Sequence, residues 1–293
     1  MINGAVQKIA LLGLGKMGSA IADRLLDTGH TVLVLNGFAQ QNVDKAVLRG
    51  AHAFDTLAEM VGATDCLFLC LPSADAVAQS APGWRDWIRP KQLIVDLSTS
   101  TPALTQELSA FVTAKGADWM DAPVSRTPDD ARNGNLLLMV GATPQTFQAR
   151  RTLLAQFASD VLHMGGPGSG HASKLAYNAL AIGFGCLLAE TFRSTQAVGV
   201  PDDALAALLK KGACDSPLLT MFTTALLGEE TALPFKVAAM DRQMRDFAAL
   251  ANSDLAIFDA VSKTLSAANA NGLGDRMMTI LAKPVTALPD AGG

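Results

Sequence analysis

Lys174 is the residue whose surroundings most suggest chemistry. It follows the glycine-rich run Gly165–Gly170 and opens a stretch, Leu175–Ala189, that holds no charged residue. A cation at the mouth of an apolar helix is partly stripped of water, and desolvation lowers a lysine's pKa. A lysine brought toward neutrality can pass a proton to or from a reacting oxygen. The plainer alternative is a helix-end lysine whose stem packs on apolar surface while its ammonium reaches water.

A second constellation lies upstream. Gly13-Leu14-Gly15-Lys16-Met17-Gly18 directly follows an apolar, strand-like run and opens a helical pattern. Gly13 permits a tight turn, Gly15 lets backbone approach a pyrophosphate, and Gly18 lets the helix pack on the strand. The helix then points its positive end at the phosphates. Glycine-rich turns are common, but this one sits between strand and helix near the N-terminus, which points to a dinucleotide, NAD or NADP. At the end of the second strand an acid would hold a ribose hydroxyl and a nearby Arg would accommodate a 2′-phosphate. Here stand Asn36, Gly37 and Phe38. Asn36 can hydrogen-bond a ribose, and Asn-Gly is also a strong turn pair, so the choice between the two cofactors stays open. Leu71 and Pro72 end the next long strand; they either wall the ring end of the cofactor or form a plain strand-to-helix turn. Thr99 ends another strand and is placed to touch cofactor or substrate. Ser100 or Thr101 before Pro102 makes a helix cap.

These groups need a scaffold. Apolar runs at Lys8–Leu12, Thr31–Leu35, Asp65–Leu71 and Leu93–Leu97 alternate with helical patterns. That alternation implies a parallel sheet with helices on both faces, and continuous apolar strands mean that both faces are covered. Two more extended runs, a helix near Pro144–Phe157 and a short strand at 160–164 follow. After Gly165 the pattern turns helical, with no convincing strand. The expected architecture is α/β: a doubly wound dinucleotide-binding domain (1–165), then an all-α domain (166–293) begun by a long bridging helix.

Composition narrows the function. With 293 residues, 49% of them hydrophobic, the chain can build two well-packed domains. A net charge of −4 leaves no electrostatic footprint for nucleic acid or an anionic membrane. Cys66, Cys70, Cys186 and Cys214 form no CxxC pair and no Cys/His metal spacing, so no metal site is expected and a reducing cytoplasm fits best. Residues 1–7 carry no signal-peptide pattern. The uncharged run 175–189 is short for a membrane span and reads as a buried helix.

Taken together, these motifs resemble the β-hydroxyacid dehydrogenase family, which includes 3-hydroxyisobutyrate dehydrogenase and, more distantly, 6-phosphogluconate dehydrogenase. Three segments carry the resemblance in order: GLGKMG with the following LLDTGHTVLVLN, the segment Asp121–Ala142, and Gly166–Asn178 with its glycine-X-glycine, lysine, and asparagine four residues on. The resemblance implies a Rossmann domain followed by a helical one, and hydride exchange between NAD(P) and the hydroxyl carbon of a small hydroxyacid or semialdehyde. It implies that Lys174 is the general acid in reduction and the general base in oxidation. Hydride transfer to a carbonyl builds negative charge on oxygen, which an ammonium stabilises. The resemblance also implies that Asn178, at i+4 on the same helical face, orients Lys174 or the reacting oxygen; taken alone, an Asn near a helix start reads as a capping or core-polar residue.

The departures concern substrate. The family's serine-glycine-glycine is Ser125-Arg126-Thr127 here, similar to the sulfolactaldehyde-reducing branch. Ser125 keeps the carboxylate-holding hydroxyl, Arg126 adds a planar cationic fork, and Thr127 adds a donor, so a strongly anionic substrate end is expected. The alternative is that Arg126 pairs with Asp129 or Asp130. Arg242-Gln243 replaces a lysine-aspartate pair, so Arg242 is the candidate for the nicotinamide neighbourhood. Tyr177 replaces an asparagine and either lines the pocket or packs as a core aromatic. An imine reductase of the same fold argues against itself through the lysine, and a non-catalytic binding module through the retained Lys174 and Asn178. The charge-poor helical half and the resemblance imply a homodimer or homotetramer.

Overall fold

The computed structural model describes residues 6–229, 233, 235–250 and 254–283. Two compact units divide the chain, Met1–Lys174 and Leu175–Gly293.

The first unit is built on one sheet. Its strands are β1 (Lys8–Leu12), β2 (Thr31–Leu35), β3 (His52–Phe54), β4 (Cys66–Leu69), β5 (Leu93–Asp96), β6 (Asp118–Asp121), β7 (Val124–Ser125), β8 (Leu136–Gly141) and β9 (Ala158–Gly165). The order is β3-β2-β1-β4-β5-β6-β8-β7, with β9 pairing β8. From β3 to β6 every pairing is parallel. β8 runs antiparallel to β6 and β7. The first six strands follow the doubly wound dinucleotide-binding order, whose ligand crevice lies beyond the carboxyl ends of the strands. Alternation along each strand explains the layers. Ile9 and Leu11 enter one core cluster with Val32, Val34, Phe68 and Val95, while Ala10 and Leu12 enter another with Leu33, Leu67, Leu69 and Ile94. Each fully buried Leu, Ile or Phe contributes about 1.5–3 kcal/mol. The connecting helices are α1 (Lys16–Asp27), α2 (Gln40–Leu48), α3 (Leu57–Gly62), α4 (Ala74–Trp84), α5 (Pro102–Ala114), α6 (Pro128–Arg132) and α7 (Pro144–Leu154).

Helix α8 (Ser169–Gln196) begins in the first unit and continues into the second. It extends past the uncharged run 175–189 at both ends. At 28 residues it is long and apolar enough to cross a membrane, and half of its most apolar window is buried inside the protein.

The second unit contains no strand among its described residues, only an isolated bridge between Lys236 and Met277. After α8 come α9 (Asp202–Leu209), α10 (Pro217–Leu226), α11 (Val237–Ala248) and α12 (Ala256–Ala268). Ser216 caps α10 through the Leu219 N–H, with Pro217 next to the cap. Their core gathers Ile182, Phe192, Leu219, Phe222, Met240, Met244 and Leu265. A Cβ on Gly185 in mid-helix would sit 2.2 Å from Met278 Sδ, so a larger residue there would make that thioether shift. The four cysteines are free thiols. No group of three or more metal-ligating side chains occurs among the described residues.

Candidate active site

The glycine loop is fixed by main-chain contacts on two sides and open on the third. Gly13 has φ +104°, and a Cβ there would lie 2.3 Å from the Cys70 carbonyl oxygen. A Cβ on Gly18 would lie 1.9 Å from the Gly13 carbonyl oxygen. Gly15 has nothing within 4 Å of where a Cβ would be. The Leu14 carbonyl accepts from Ser19 Oγ and from Asn42 Nδ2 of α2, at 3.1 and 2.7 Å. Leu14 is buried and Met17 packs on the core, while Lys16 is exposed. Gly15 is the N-cap of α1, so no side chain caps the first turn, and no acid lies in it. The first-turn N–H groups therefore remain for an anion. A vacant face at Gly15 and an uncapped helix start fit a pyrophosphate.

A buried polar network joins the strand ends to the start of α8. Leu71 donates its N–H to Ser98 Oγ at 2.9 Å. The Ser98 carbonyl accepts from His171 Nε2 at 3.1 Å, so this nitrogen carries a proton. His171 Nδ1 meets Thr105 Oγ1 at 2.6 Å. Asp121, at the end of β6, accepts from the backbone N–H groups of Gly168 (2.8 Å) and His171 (2.9 Å). Burial pushes the Asp121 carboxyl up, against the lowering effect of His171 and these N–H groups. Gly170 must be glycine here, because a Cβ would meet the Met139 carbonyl oxygen at 2.3 Å. The turn that leads to Lys174 is thus held against β6, β8 and α5. His171 is the residue that sequence reasoning missed. A lone histidine in a glycine-rich run gives no periodic signal, and its partners lie 66 and 73 positions away.

Nearby, Leu71 is half-buried and Pro72 exposed. Thr99 is half-buried, and Ser100 Oγ is buried with no hydrogen-bond partner. Thr101 caps α5 through the Leu104 N–H, so the cap expected at 100 or 101 falls to Thr101.

Lys174 is 8% exposed, and burial lowers its pKa from 10.5 to about 8. One turn on, Asn178 Nδ2 donates to Gln243 Oε1 on α11 at 2.8 Å. Gln243 is therefore the residue that orients Asn178. Arg242 is exposed on the same helix, and Tyr177 is half exposed rather than a core aromatic.

The segment after β6 is differently disposed. Ser125 pairs with Leu137 across β7 and β8, and its hydroxyl has no side-chain partner among the described residues. Arg126 adopts φ +83°, a conformation that favours glycine. Its guanidinium donates to the Asn135 carbonyl, to Ser159 Oγ (2.8 Å) and to Asp160 Oδ2 (2.7 Å). The alternative pairing with Asp129 or Asp130 does not form; Arg126 pairs with Asp160 instead. Asp129 is taken by Arg132, and Asp130 closes a capping box with Thr127 at the start of α6. The β8–β9 pairing brings Asp160 to Arg126, a contact across 34 positions that local sequence does not reveal.

Residues 8–166 match the family described as the NAD binding domain of 6-phosphogluconate dehydrogenase. The chain is 31% identical to 3-sulfolactaldehyde reductase of Escherichia coli over 85% of its own length and 81% of the relative's. It is 34% identical to 2-(hydroxymethyl)glutarate dehydrogenase of Eubacterium barkeri over 62% of this chain and 60% of that one. Among solved structures, 3-hydroxyisobutyrate dehydrogenase of Mycobacterium tuberculosis with L-serine superimposes with a TM-score of 0.84, over 94% of this chain and 98% of that one. Its 22% identity carries the fold alone.

Proposed function

The chain belongs to the β-hydroxyacid dehydrogenase family, NAD(P)-dependent enzymes acting on CH–OH groups, and from that premise we propose that Lys174 is its proton-transfer residue and that its substrate is a small semialdehyde or hydroxyacid with a strongly anionic end. The observation that carries this reading is a single buried ammonium, its pKa drawn down to about 8, at the start of a helix anchored to the strand ends.

Gly13–Gly18 would hold the pyrophosphate on open backbone, with Leu71, Pro72 and Thr99 toward the ring end; Arg242 is a candidate by family resemblance alone. The nicotinamide, when bound, supplies or accepts the hydride. In reduction, Lys174 Nζ donates its proton to the carbonyl oxygen as charge builds there; in oxidation, the neutral amine takes the hydroxyl proton. Asn178, one turn beyond Lys174, orients Lys174 or the substrate hydroxyl, with Gln243 fixing the amide's orientation. Ser125 receives the substrate's anionic end. Arg126 and Thr127 join it only by giving up Asp160 and Asp130.

Lys174→Ala should cut turnover roughly 100- to 10,000-fold while cofactor affinity, read by nicotinamide fluorescence, stays near wild type. Near-normal turnover would end the proposal. A panel of sulfonated, phosphorylated and dicarboxylic semialdehydes, run on wild type and Arg126→Gly, tests the anionic end.

The same reading includes self-association. Tyr177 (52% exposed), Leu180 (68%) and Leu187 (58%) lie on one side of α8, an apolar stripe suited to a second copy of the chain. Sedimentation showing only monomer at micromolar concentration would remove that part.

A further inference from the structure

The end of β2 carries Asn36 where an acid would hold the adenosine ribose, and the next strand supplies that acid. β3 pairs in parallel with β2, Leu35 opposite Phe54, and the Asn36 N–H donates to the Phe54 carbonyl at 2.9 Å. The residue after Phe54 then falls beside Asn36. Asn36 Nδ2 donates to Asp55 Oδ1 at 2.8 Å. On its other side, Gln40 Nε2 donates to Asn36 Oδ1 at 3.4 Å and to Asp44 Oδ1 at 2.9 Å. Asp44 and Asp55 are exposed, and neither is ion-paired among the described residues. No lysine or arginine occurs from Asn36 to Asp44.

We propose that Asp55, held by Asn36 on the ribose rim, makes this chain selective for NAD over NADP. The inference rests on the cofactor site described above and deepens it. A free ribose offers hydroxyl donors, which a carboxylate accepts. A 2′-phosphate brings two negative charges to a rim that already carries two carboxylates and no guanidinium fork. At an exposed rim each charge pair is weak in high dielectric, so the combined discrimination against NADPH is about tenfold or somewhat more. Because it is electrostatic, it shrinks once salt brings the Debye length below roughly 10 Å.

The test is titration of the cofactor-free protein with NADH and with NADPH, followed by calorimetry or nicotinamide fluorescence at low and high salt. NADH should bind at least about tenfold more tightly at low salt, with the ratio falling as salt rises. Asp55→Asn should narrow the ratio by weakening NADH and strengthening NADPH. Phe38→Arg, which places a guanidinium on the exposed rim, should strengthen NADPH with Asp55 intact. Equal wild-type affinities, tighter NADPH, or an Asp55→Asn ratio equal to wild type would each overturn the inference while leaving the cofactor site standing. Binding of neither cofactor would overturn the site and the inference together. Thermal unfolding of each variant without cofactor separates lost binding from lost folding.

Discussion

The glycine loop and the Ser125–Thr127 segment both present polar groups near the strand ends, yet they dispose of them in opposite ways. In the glycine loop, main chain packs on main chain, and the first-turn N–H groups of α1 are left uncapped beside an open Gly15. In the other segment the side chains are already engaged: Thr127 and Asp130 close a capping box, and Arg126 reaches Asn135, Ser159 and Asp160. Lys174 is a third case, a charge kept buried at a cost to stability. The contrast separates backbone groups left uncapped from side chains already engaged in the fold.

The hardest break is at Gly18. Gly18→Ala drives a methyl into the Gly13 carbonyl, so cofactor titration should show binding lost and thermal unfolding should show lower stability. Gly15→Ala meets nothing, and its stability should stay within about 0.5 kcal/mol of wild type while cofactor affinity falls. Equal damage at both positions would erase the distinction between the packed and open sides of the loop.

Lys174 sharpens the comparison next. The unfolded chain keeps the Lys174 proton up to pH 10.5, and the folded chain releases it near 8. Below pH 8 the buried charge opposes folding by up to about 3 kcal/mol; that opposition fades as pH rises from 8 to 10.5. Lys174→Met should therefore unfold later than wild type in denaturant at pH 7, with a smaller gain at pH 10. In the intact enzyme, carbonyl reduction should decline as pH rises through about 8, while alcohol oxidation should rise over the same range. A flat profile in both directions would remove Lys174 from proton transfer.

Smaller effects belong to the closed segment. Thr127→Ala removes an N-cap and should cost about 1 kcal/mol in chemical denaturation. Arg126→Gly relieves a left-handed backbone but loses a solvent-exposed ion pair worth little, so its stability should stay within about 1 kcal/mol of wild type. Any change in its substrate preference is then a binding effect.

Much of this was legible in the sequence because its signals are local. β1 and β2 fall at Lys8–Leu12 and Thr31–Leu35, where the apolar runs placed them, and the glycine spacing marked the loop. β3 was not legible. It is three residues long and largely exposed, so His52–Phe54 carries no hydrophobic pattern, and without it Asp55 has no visible route to Asn36. Arg126 shows the same limit. The segment suggested two acids close in sequence, and sheet pairing brought a third. His171 needed contacts with three strand-end or helical segments before its place at the start of α8 emerged.

The interlock of Gly13 and Gly18 has one more consequence, for the routes open to evolution. When a side chain is crowded, a neighbour can often be trimmed to make room. Here the neighbour of Gly18 is the carbonyl oxygen of Gly13, and the neighbour of Gly13 is the carbonyl oxygen of Cys70. Every amino acid carries that oxygen, so no second substitution can shorten it. Neither glycine has a compensating partner. A lineage that loses one must restore it or rebuild the turn, and cannot drift to an equivalent pair.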